Sequence, residues 1–540
     1  MIEFFSFITS IVISIVLTPI LIYYANLLGM VDEPGGRKVH EVAIPRCGGI
    51  GLATGTLVAV LVFVPLQQEI IGLISGGLII LLFGILDDRY ELNYKWKFFG
   101  QFFAVIAVMF GGISIGTLPF YGLDAAPALI TLPLTIFFVI GVINAVNLSD
   151  GLDGLAAGIM LMSFCAIAGL AIEANSHVGA IIALAVSGGI VGFLWFNTHP
   201  AVVFMGDTGS QFIGFMAVFL TLHLTQIENQ ALNPALPVLI LGLPILDTLV
   251  VMIGRIRRGQ SPFSPDKTHI HHRLLECGFT HAEAVSAIYI TQGVFLTSAI
   301  IFRYASDLTV IGLYLGISAV ILILFYWASN AKWQLHKVLV DGERRGRGFW
   351  RNSSLFQYCR HYINFSIAIF LALQLLPLFT RVKILPLTEH FIMFGAILLF
   401  MILPKIVQDV WVRFSLYIAA IFSNIMGKDF PEMQIYTHWG VDVFLLVLIV
   451  VVTIAIRITR KNKFRLTTQD VLVVLFLLAC LVLVDVSLVE SVVFRLFCLV
   501  YALEYLLHRE IYRFRLTRYM SAISGVVILM LTYPKLSELL

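Results

Sequence analysis

Apolar runs of about twenty residues recur along most of this chain, broken only by short polar stretches. A helix crosses the hydrocarbon of a bilayer in about 20 residues. A backbone there must satisfy its own hydrogen bonds, so runs of this length imply membrane helices rather than sheet or coil. Composition agrees: of 540 residues 59% are hydrophobic and 12% charged, against about 25% charged in an ordinary soluble domain. Too little charge exists to cover a water-soluble surface of this size, which excludes a soluble enzyme, a disordered chain and a nucleic-acid binder. The formal net charge of +3 is too small to imply a polyanionic partner.

The expected fold is an all-α polytopic integral membrane protein. Eleven spans are expected near 4–25, 49–65, 70–86, 98–113, 128–146, 155–172, 178–195, 211–226, 235–254, 283–301 and 308–330. Seven more are expected near 363–380, 389–403, 407–424, 439–457, 468–486, 490–507 and 519–533. The N-terminal stretch lacks the basic n-region and cleavage site of a signal peptide, so it reads as a retained span. The basic, glycine-containing stretch 331–362 divides a unit of about eleven spans, 1–330, from a second membrane unit, 363–540. The positive-inside rule sets the orientation. With the N-terminus outward, the inward loops carry Arg37, Lys38, Arg46, Arg89, Lys95, Lys97, Arg255, Arg257, Arg258, Lys267 and Arg273, and the outer loops of this unit carry Arg303. The six cysteines are scattered without a CxxC pair and read as packing residues, not a disulfide framework.

Ionisable groups clustered at one face of a membrane bundle mark function. In the first unit the polar motifs are RKVHEVAIPRCGG (37–49), DDRYELNYKWK (87–97), NAVNLSDGLDG (144–154), FMGDTGS (204–210) and SPDKTHIHHR (264–273). The assigned topology puts all five at cytoplasmic helix ends. Asp87 and Asp88 are adjacent carboxylates, which repel unless a cation or a raised pKa relieves them. Asp150 and Asp153 are spaced to share one helical face just before the sixth span. Asp207 lies between glycines, where the backbone turns tightly. Five carboxylates in three loops read as a hard-cation and phosphate site, Mg²⁺ taking one or two carboxylates plus substrate phosphate. Taken singly, each acid reads equally well as a helix cap.

Lys38, Arg46, Lys97 and Arg273 can donate to diphosphate oxygens, though each alone reads as a topology residue. His269, His271 and His272 fall within four positions. They can donate to phosphate, or bind zinc with Cys277. Phe204 by itself reads as an interfacial aromatic anchor. Gly48, Gly49 and Gly51 suit close helix approach or backbone–phosphate contact.

Taken together, DD (87–88), NAVNLSDGLDG, FMGDTGS and HIHHR resemble the polyprenyl-phosphate N-acetylhexosamine-1-phosphate transferases. The resemblance covers roughly residues 1–330, in the family's motif order. It implies an enzyme that moves a sugar 1-phosphate from a UDP-N-acetylhexosamine to undecaprenyl phosphate in the bacterial inner membrane, releasing UMP at the cytoplasmic face. By the same resemblance Asp207, with Asp150, holds Mg²⁺ (or Mn²⁺ as substitute). Asp87 activates or orients the lipid phosphate with Asp88 beside it, and Lys97 stands near phosphate. Asn147, Asp150 and Asp153 contact the nucleotide sugar, Asp153 at the uracil, and Phe204 stacks on the base, replacing its reading as an anchor. Lys38, His269, His271, His272 and Arg273 close over the donor. HIHH, with Arg273 where a third consecutive histidine would stand, resembles the branch that uses UDP-N-acetylglucosamine, not the one that makes lipid I from UDP-MurNAc-pentapeptide. Because a phosphate monoester is already ionised near neutral pH, direct displacement is expected, with Asp87 orienting. Members of the family can dimerise. The second unit carries no clustered site and reads as membrane packing, or as a module that docks a downstream glycosyltransferase. Two readings from other classes are an ion-coupled transporter, which would place its acids near the midplane of repeated halves, and a non-catalytic scaffold, which leaves the aspartates unexplained.

Overall fold

The computed structural model describes residues 2–33, 43–121, 126–261, 268–331 and 333–335. The expected spans from 363 onward, residues 332 and 336–362 of the basic connection 331–362, and Lys38 lie outside these residues. The described chain is helical apart from one two-stranded antiparallel ribbon, β1 (Val31–Asp32) and β2 (Ile44–Pro45).

The helices are α1 (Ile2–Leu28), α2 (Gly48–Phe63), α3 (Gln68–Tyr90), α4 (Tyr94–Phe110), α5 (Ala128–Leu148), α6 (Leu155–Glu173), α7 (His177–Asn197) and α8 (Gly206–Leu222). α8 continues through a π-helical turn, His223–Glu228. Next come α9 (Leu236–Ile240), α10 (Gly242–Arg257), α11 (Ile270–Glu276), α12 (His281–Ile301) and α13 (Asp307–Asn330). Eight of these segments are long and apolar enough to cross a membrane: Phe5–Leu28, Gln68–Tyr90, Ala128–Leu148, Leu155–Glu173, His177–Asn197, Gly206–Glu228, His281–Ile301 and Asp307–Asn330. This is a multi-pass helical membrane protein. Each of the first eleven expected spans meets a helix, but those near 49–65 and 98–113 are shorter than a full span, and the one near 235–254 is two helices. There Leu241 leaves helical geometry between α9 and α10.

Two expectations are corrected. Asp150 and Asp153 do not share a helical face: α5 ends at Leu148 and α6 begins at Leu155, so both lie in the connecting turn. Gly154, in left-handed geometry (φ 76°), brings the chain out of that turn. Asp207 belongs to the first turn of α8, not to a loop before it. The local signals there, glycines and small residues, suit a tight turn and a helix start equally.

α8 is the central helix, almost wholly buried, and packs on α2, α3 and α5, while α7 packs on α1, α2 and α6. Without a hydrophobic driving force in lipid, helices associate through close backbone approach and polar contacts. At the α2–α8 crossing a Cβ on Gly49 would lie 2.2 Å from Gly209 N, so this approach requires glycine. On α1 the buried Ser6, Ser10, Ser14 and Thr18 recur at four-residue spacing. They form a hydroxyl stripe, and Ser6 and Ser14 donate to the Ile181 and Gly189 carbonyls of α7. Elsewhere large apolar side chains such as Leu129, Phe137 and Leu308 stand exposed, as a lipid-facing surface requires. The C-terminal ends of α3, α5 and α7 and the N-terminal ends of α4, α6, α8 and α12 converge at one end of this bundle through the contacts described next.

Candidate active site

Four contacts join the five polar motifs. Gly48 N–H donates to the Phe204 carbonyl (3.0 Å), tying 44–49 to 204–210. Asp88 ties 87–97 to 204–210. Its carboxylate accepts from the backbone N–H groups of Asp207 (2.8 Å) and Thr208 (3.0 Å) and from the Thr208 hydroxyl (2.5 Å). The Ser210 hydroxyl donates to Asn147 Oδ1 (2.6 Å), adding 144–154. His271 adds the last motif: a Cβ on Gly151 would lie 2.3 Å from its Cε1 and Nε2, so the imidazole rests on that glycine.

Asp88 therefore caps α8, supplying acceptors to backbone donors that have no partner within the helix. Gly206, at φ 69°, opens the chain for it, and a Cβ there would lie 2.5 Å from Asp88 Oδ2. Asp88→Ala is expected to cost about 1–2 kcal/mol, the range for losing an N-cap side chain, read as a lowered midpoint of thermal unfolding in detergent. An unchanged midpoint would show that α8 does not depend on this cap.

Asp87 is turned the other way. Its Oδ1 accepts from Leu92 N–H (2.7 Å), closing the end of α3. Its Oδ2 lies 2.5 Å from Lys97 Nζ, and the same ammonium lies 2.5 Å from Asp207 Oδ2. The two carboxylates thus share one cation. Lys97 is placed by the first turn of α4, which Asn93 caps through the Lys95 N–H (3.4 Å). Arg46 pairs with Asp32 and stands 3.8 Å from Glu91 Oε1. Arg46, Asp87, Asp88, Glu91, Leu92, Lys97 and Asp207 line a cavity of about 250 Å³. The structure thus brings Arg46, Asp87, Asp88, Lys97 and Asp207 together.

Asn147, Asp150, Asp153, Phe204, the histidines and Arg273 do not line that cavity. Phe204 is half-buried, its N–H donating to the Pro45 carbonyl (2.7 Å). Asp150, half-buried in its turn, is pushed up to about 7, first by burial and then by the charges of Asp207, Asp153 and Asp88. Asp153 Oδ2 accepts from Ala201 N–H (3.1 Å) and meets His199 Nδ1 at 2.7 Å. His269 Nδ1 lies 2.8 Å from Asp247 Oδ2, and Ile270 N–H donates to Asp247 Oδ1 (2.8 Å). Burial, then the neighbouring His272, pulls His271 down to about 4, so it is a neutral imidazole at physiological pH. Arg273 turns its Nε to the Thr268 carbonyl (2.9 Å). His272 lies beside His271, ring centroids 4.2 Å apart.

Several residues that build the site carry little or no signal in the sequence. Asp247 anchors the histidine segment, and its signal was a lone acid inside the apolar run GLPILDTLVV. Gln211, Gln101 and Asn144 form a polar ladder behind the cavity. Gln211 Nε2 lies 3.5 Å from Asp207 Oδ2, Gln101 donates to Gln211 (2.9 Å), and Asn144 donates to Gln101 (2.8 Å). Asn197 bridges the 149–154 turn to the approach of α8, accepting from Gly154 N–H (2.8 Å) and donating to the Val203 carbonyl (2.9 Å). No local pattern marks an amide whose partners are so distant in sequence.

Residues 70–225 match the sequence model of glycosyl transferase family 4. The chain is 36% identical over 304 residues to a probable undecaprenyl-phosphate N-acetylglucosaminyl 1-phosphate transferase of Bacillus subtilis (strain 168), covering 56% of this chain and 85% of the relative. The chain belongs to this transferase family. Two further family-4 relatives agree. The decaprenyl-phosphate N-acetylglucosaminephosphotransferase of Mycolicibacterium smegmatis (strain ATCC 700084 / mc(2)155) is 34% identical over 335 residues, 55% of this chain and 82% of the relative. The undecaprenyl-phosphate alpha-N-acetylglucosaminyl 1-phosphate transferase of Yersinia pestis is 31% identical over 339 residues, 60% of this chain and 91% of the relative. The family-4 match spans the helices that carry Asp87, Lys97 and Asp207, so the cavity lies within the family's shared region.

Proposed function

We propose that this protein transfers an N-acetylhexosamine 1-phosphate, N-acetylglucosamine 1-phosphate being best supported, from a UDP-sugar to undecaprenyl phosphate, releasing UMP. The reaction serves as the initiating step of a cell-envelope polysaccharide. The observation that carries the proposal is the single ammonium of Lys97 shared by Asp87 and Asp207 in the lining of a polar cavity. The choice of sugar is supported by the names of the relatives together with the HIHH pattern. The site faces the cytoplasm of the inner membrane and the N-terminus faces outward, a reading supported by the asymmetry of Lys and Arg among the loops.

A hard divalent cation fits the residues present: their donors are carboxylate oxygens, two of which already converge on one positive charge. Asp207 and Asp150 would hold Mg²⁺, which when bound would neutralise the diphosphate and stabilise UMP as leaving group. Lys97 and Arg46 bind phosphate oxygens of donor and acceptor as charge-assisted donors. Asp87, its other oxygen fixed by Leu92 N–H, orients the acceptor phosphate for in-line attack on the donor's β-phosphorus. Asp88 holds the start of α8 so that Asp207 faces the cavity. Asn147 and Asp153 receive the nucleotide end, Phe204 stacks on the base, and the 269–273 segment covers the donor.

The decisive experiment incubates the purified full chain with UDP-N-acetylglucosamine, undecaprenyl phosphate and Mg²⁺, and measures UMP and lipid-linked sugar. Both products are expected; their absence with every UDP-N-acetylhexosamine defeats the proposal. Asp150 adds a pH dependence. A carboxyl raised to about 7 is mostly protonated below that pH and ionised above it. A ligand must be ionised, so half-saturating Mg²⁺ is expected to fall as pH rises from about 6 to about 8, and Asp150→Asn should flatten that dependence. If the slope persists in the variant, Asp150 is not a ligand.

A further inference from the structure

The turn that carries Asp150 also contributes to a cluster whose two histidines the transfer reaction leaves unused. Asp153 sits in the α5–α6 turn, His199 between α7 and α8, and His281 at the first position of α12. Each offers one donor atom, and the three atoms lie within 4.8 Å of one another. Among the described residues this is the group of His, Cys, Asp and Glu side chains that meets such a spacing; His269, His271, His272 and Cys277 do not form one. The two imidazoles stack, centroids 4.1 Å apart. His199 Nδ1 lies 2.7 Å from Asp153 Oδ2. Both ring nitrogens of His281 are buried without a hydrogen-bond partner. A buried, unpaired polar group is rare and calls for an explanation, an absent ion among them.

The geometry points to a second cation site, in which Asp153, His199 and His281 bind a divalent transition-metal ion of the Zn²⁺ class. Two imidazoles and one carboxylate select this class over Mg²⁺, which prefers oxygen ligands and retained waters. Metal–donor bonds of roughly 2.0–2.2 Å in a tetrahedron place donors about 3.4 Å apart. The donors, all within 4.8 Å of one another, therefore need to close by at most about 1.4 Å. Three protein ligands leave a fourth position for water. Asp153 and Glu283, which completes the capping box at the start of α12, offset the positive helix end at His281. A bound ion ties three segments into one unit: the 149–154 turn, the approach to α8 and the start of α12. Tyr289, whose hydroxyl donates to the Gly154 carbonyl (2.6 Å), makes a parallel link from α12 to the same turn. The proposal does not depend on which sugar is transferred; it shares Asp153 with the nucleotide end of the proposed function, so ion binding is tested without substrate.

The test uses the full chain in detergent, stripped with a chelator and titrated with Co²⁺. One equivalent is expected to bind with the strong visible bands of a four-coordinate ion. Zn²⁺ should displace it and a large excess of Mg²⁺ should not. His199→Ala and His281→Ala should each weaken binding at least by the roughly 10–100-fold that loss of an outer partner costs a metal site. Asp207→Asn and His271→Ala should leave the bands intact. Wild-type protein without tight Co²⁺ uptake, displacement by Mg²⁺, or bands unchanged in both histidine variants would each overturn the assignment. If the alanine variants do not fold, His281→Gln and the Mg²⁺ competition on the wild type decide between the same outcomes.

Discussion

Asp207→Asn is expected to lower transfer at least about 1,000-fold while the protein still folds. The substitution keeps the size of the side chain, and the backbone N–H of residue 207 still donates to Asp88, so the start of α8 is unaffected. What is lost is the negative charge paired with Lys97 and, on the proposed mechanism, the principal ligand of the catalytic cation. Electrostatic groups aimed at developing charge in a water-poor site contribute about 10²–10³ each. A metal that also neutralises the diphosphate adds to that. The assay follows labelled sugar phosphate into the lipid extract, beside a thermal unfolding curve of the same preparation. Near-normal turnover would remove Asp207 from the metal role, and a collapsed unfolding curve would show that the residue holds structure instead. Excess Mg²⁺ should recover part of the activity, since the amide oxygen remains a weak ligand.

The elements of this site were legible in the sequence, and the way they interlock was not. Apolar run length gave the helices of the described region because membrane helices satisfy their own backbone, so local composition suffices. Lys97 and the five aspartates stood out because charge near apolar spans is expensive. The roles of Asp87 and Asp88 could not be separated from spacing, since adjacent residues on a helix point about 100° apart and only the neighbouring helix decides which faces the cavity. Asp88 turned out to serve the start of α8, and Asp87 the shared lysine. The turn at Asp150 cannot be told from helix by spacing, because a three-residue interval fits a helical face and a glycine-rich turn alike. Gly151 itself is explained only by His271, well over a hundred positions away, whose ring occupies the space of a Cβ. Asp247, Asn197 and the Gln101–Gln211 ladder are long-range in the same sense.

Lys97→Met is expected to lower turnover at least about 100-fold and, at the same time, to tighten Mg²⁺ binding. Lys97 Nζ lies 2.5 Å from an oxygen of Asp87 and 2.5 Å from an oxygen of Asp207, so those oxygens are at most about 5 Å apart. At that separation two negative charges repel by about 3 kcal/mol at an effective dielectric of 20, and the ammonium is what relieves them. Methionine matches lysine in length and apolar stem but carries no charge, leaving the pair to recruit another cation. A divalent ion held by Asp207 and Asp150 must displace the ammonium from Asp207 in the wild type, whereas in the variant it meets an Asp207 carboxylate with no ammonium beside it. The ammonium freed in the wild type is then available to the substrate phosphates, and the variant has no such donor to offer. Tighter Mg²⁺ with slower turnover is therefore the signature of a lysine that holds the cation's place in the resting enzyme and moves to phosphate during transfer. Lys97→Arg keeps the charge but not its compact shape, and should recover Mg²⁺ affinity near the wild-type value with only part of the turnover. Isothermal titration with Mg²⁺ and initial rates at saturating Mg²⁺ separate the two quantities. If affinity and turnover fall together in Lys97→Met, the lysine is a structural brace for the carboxylates and does not change partners in the reaction.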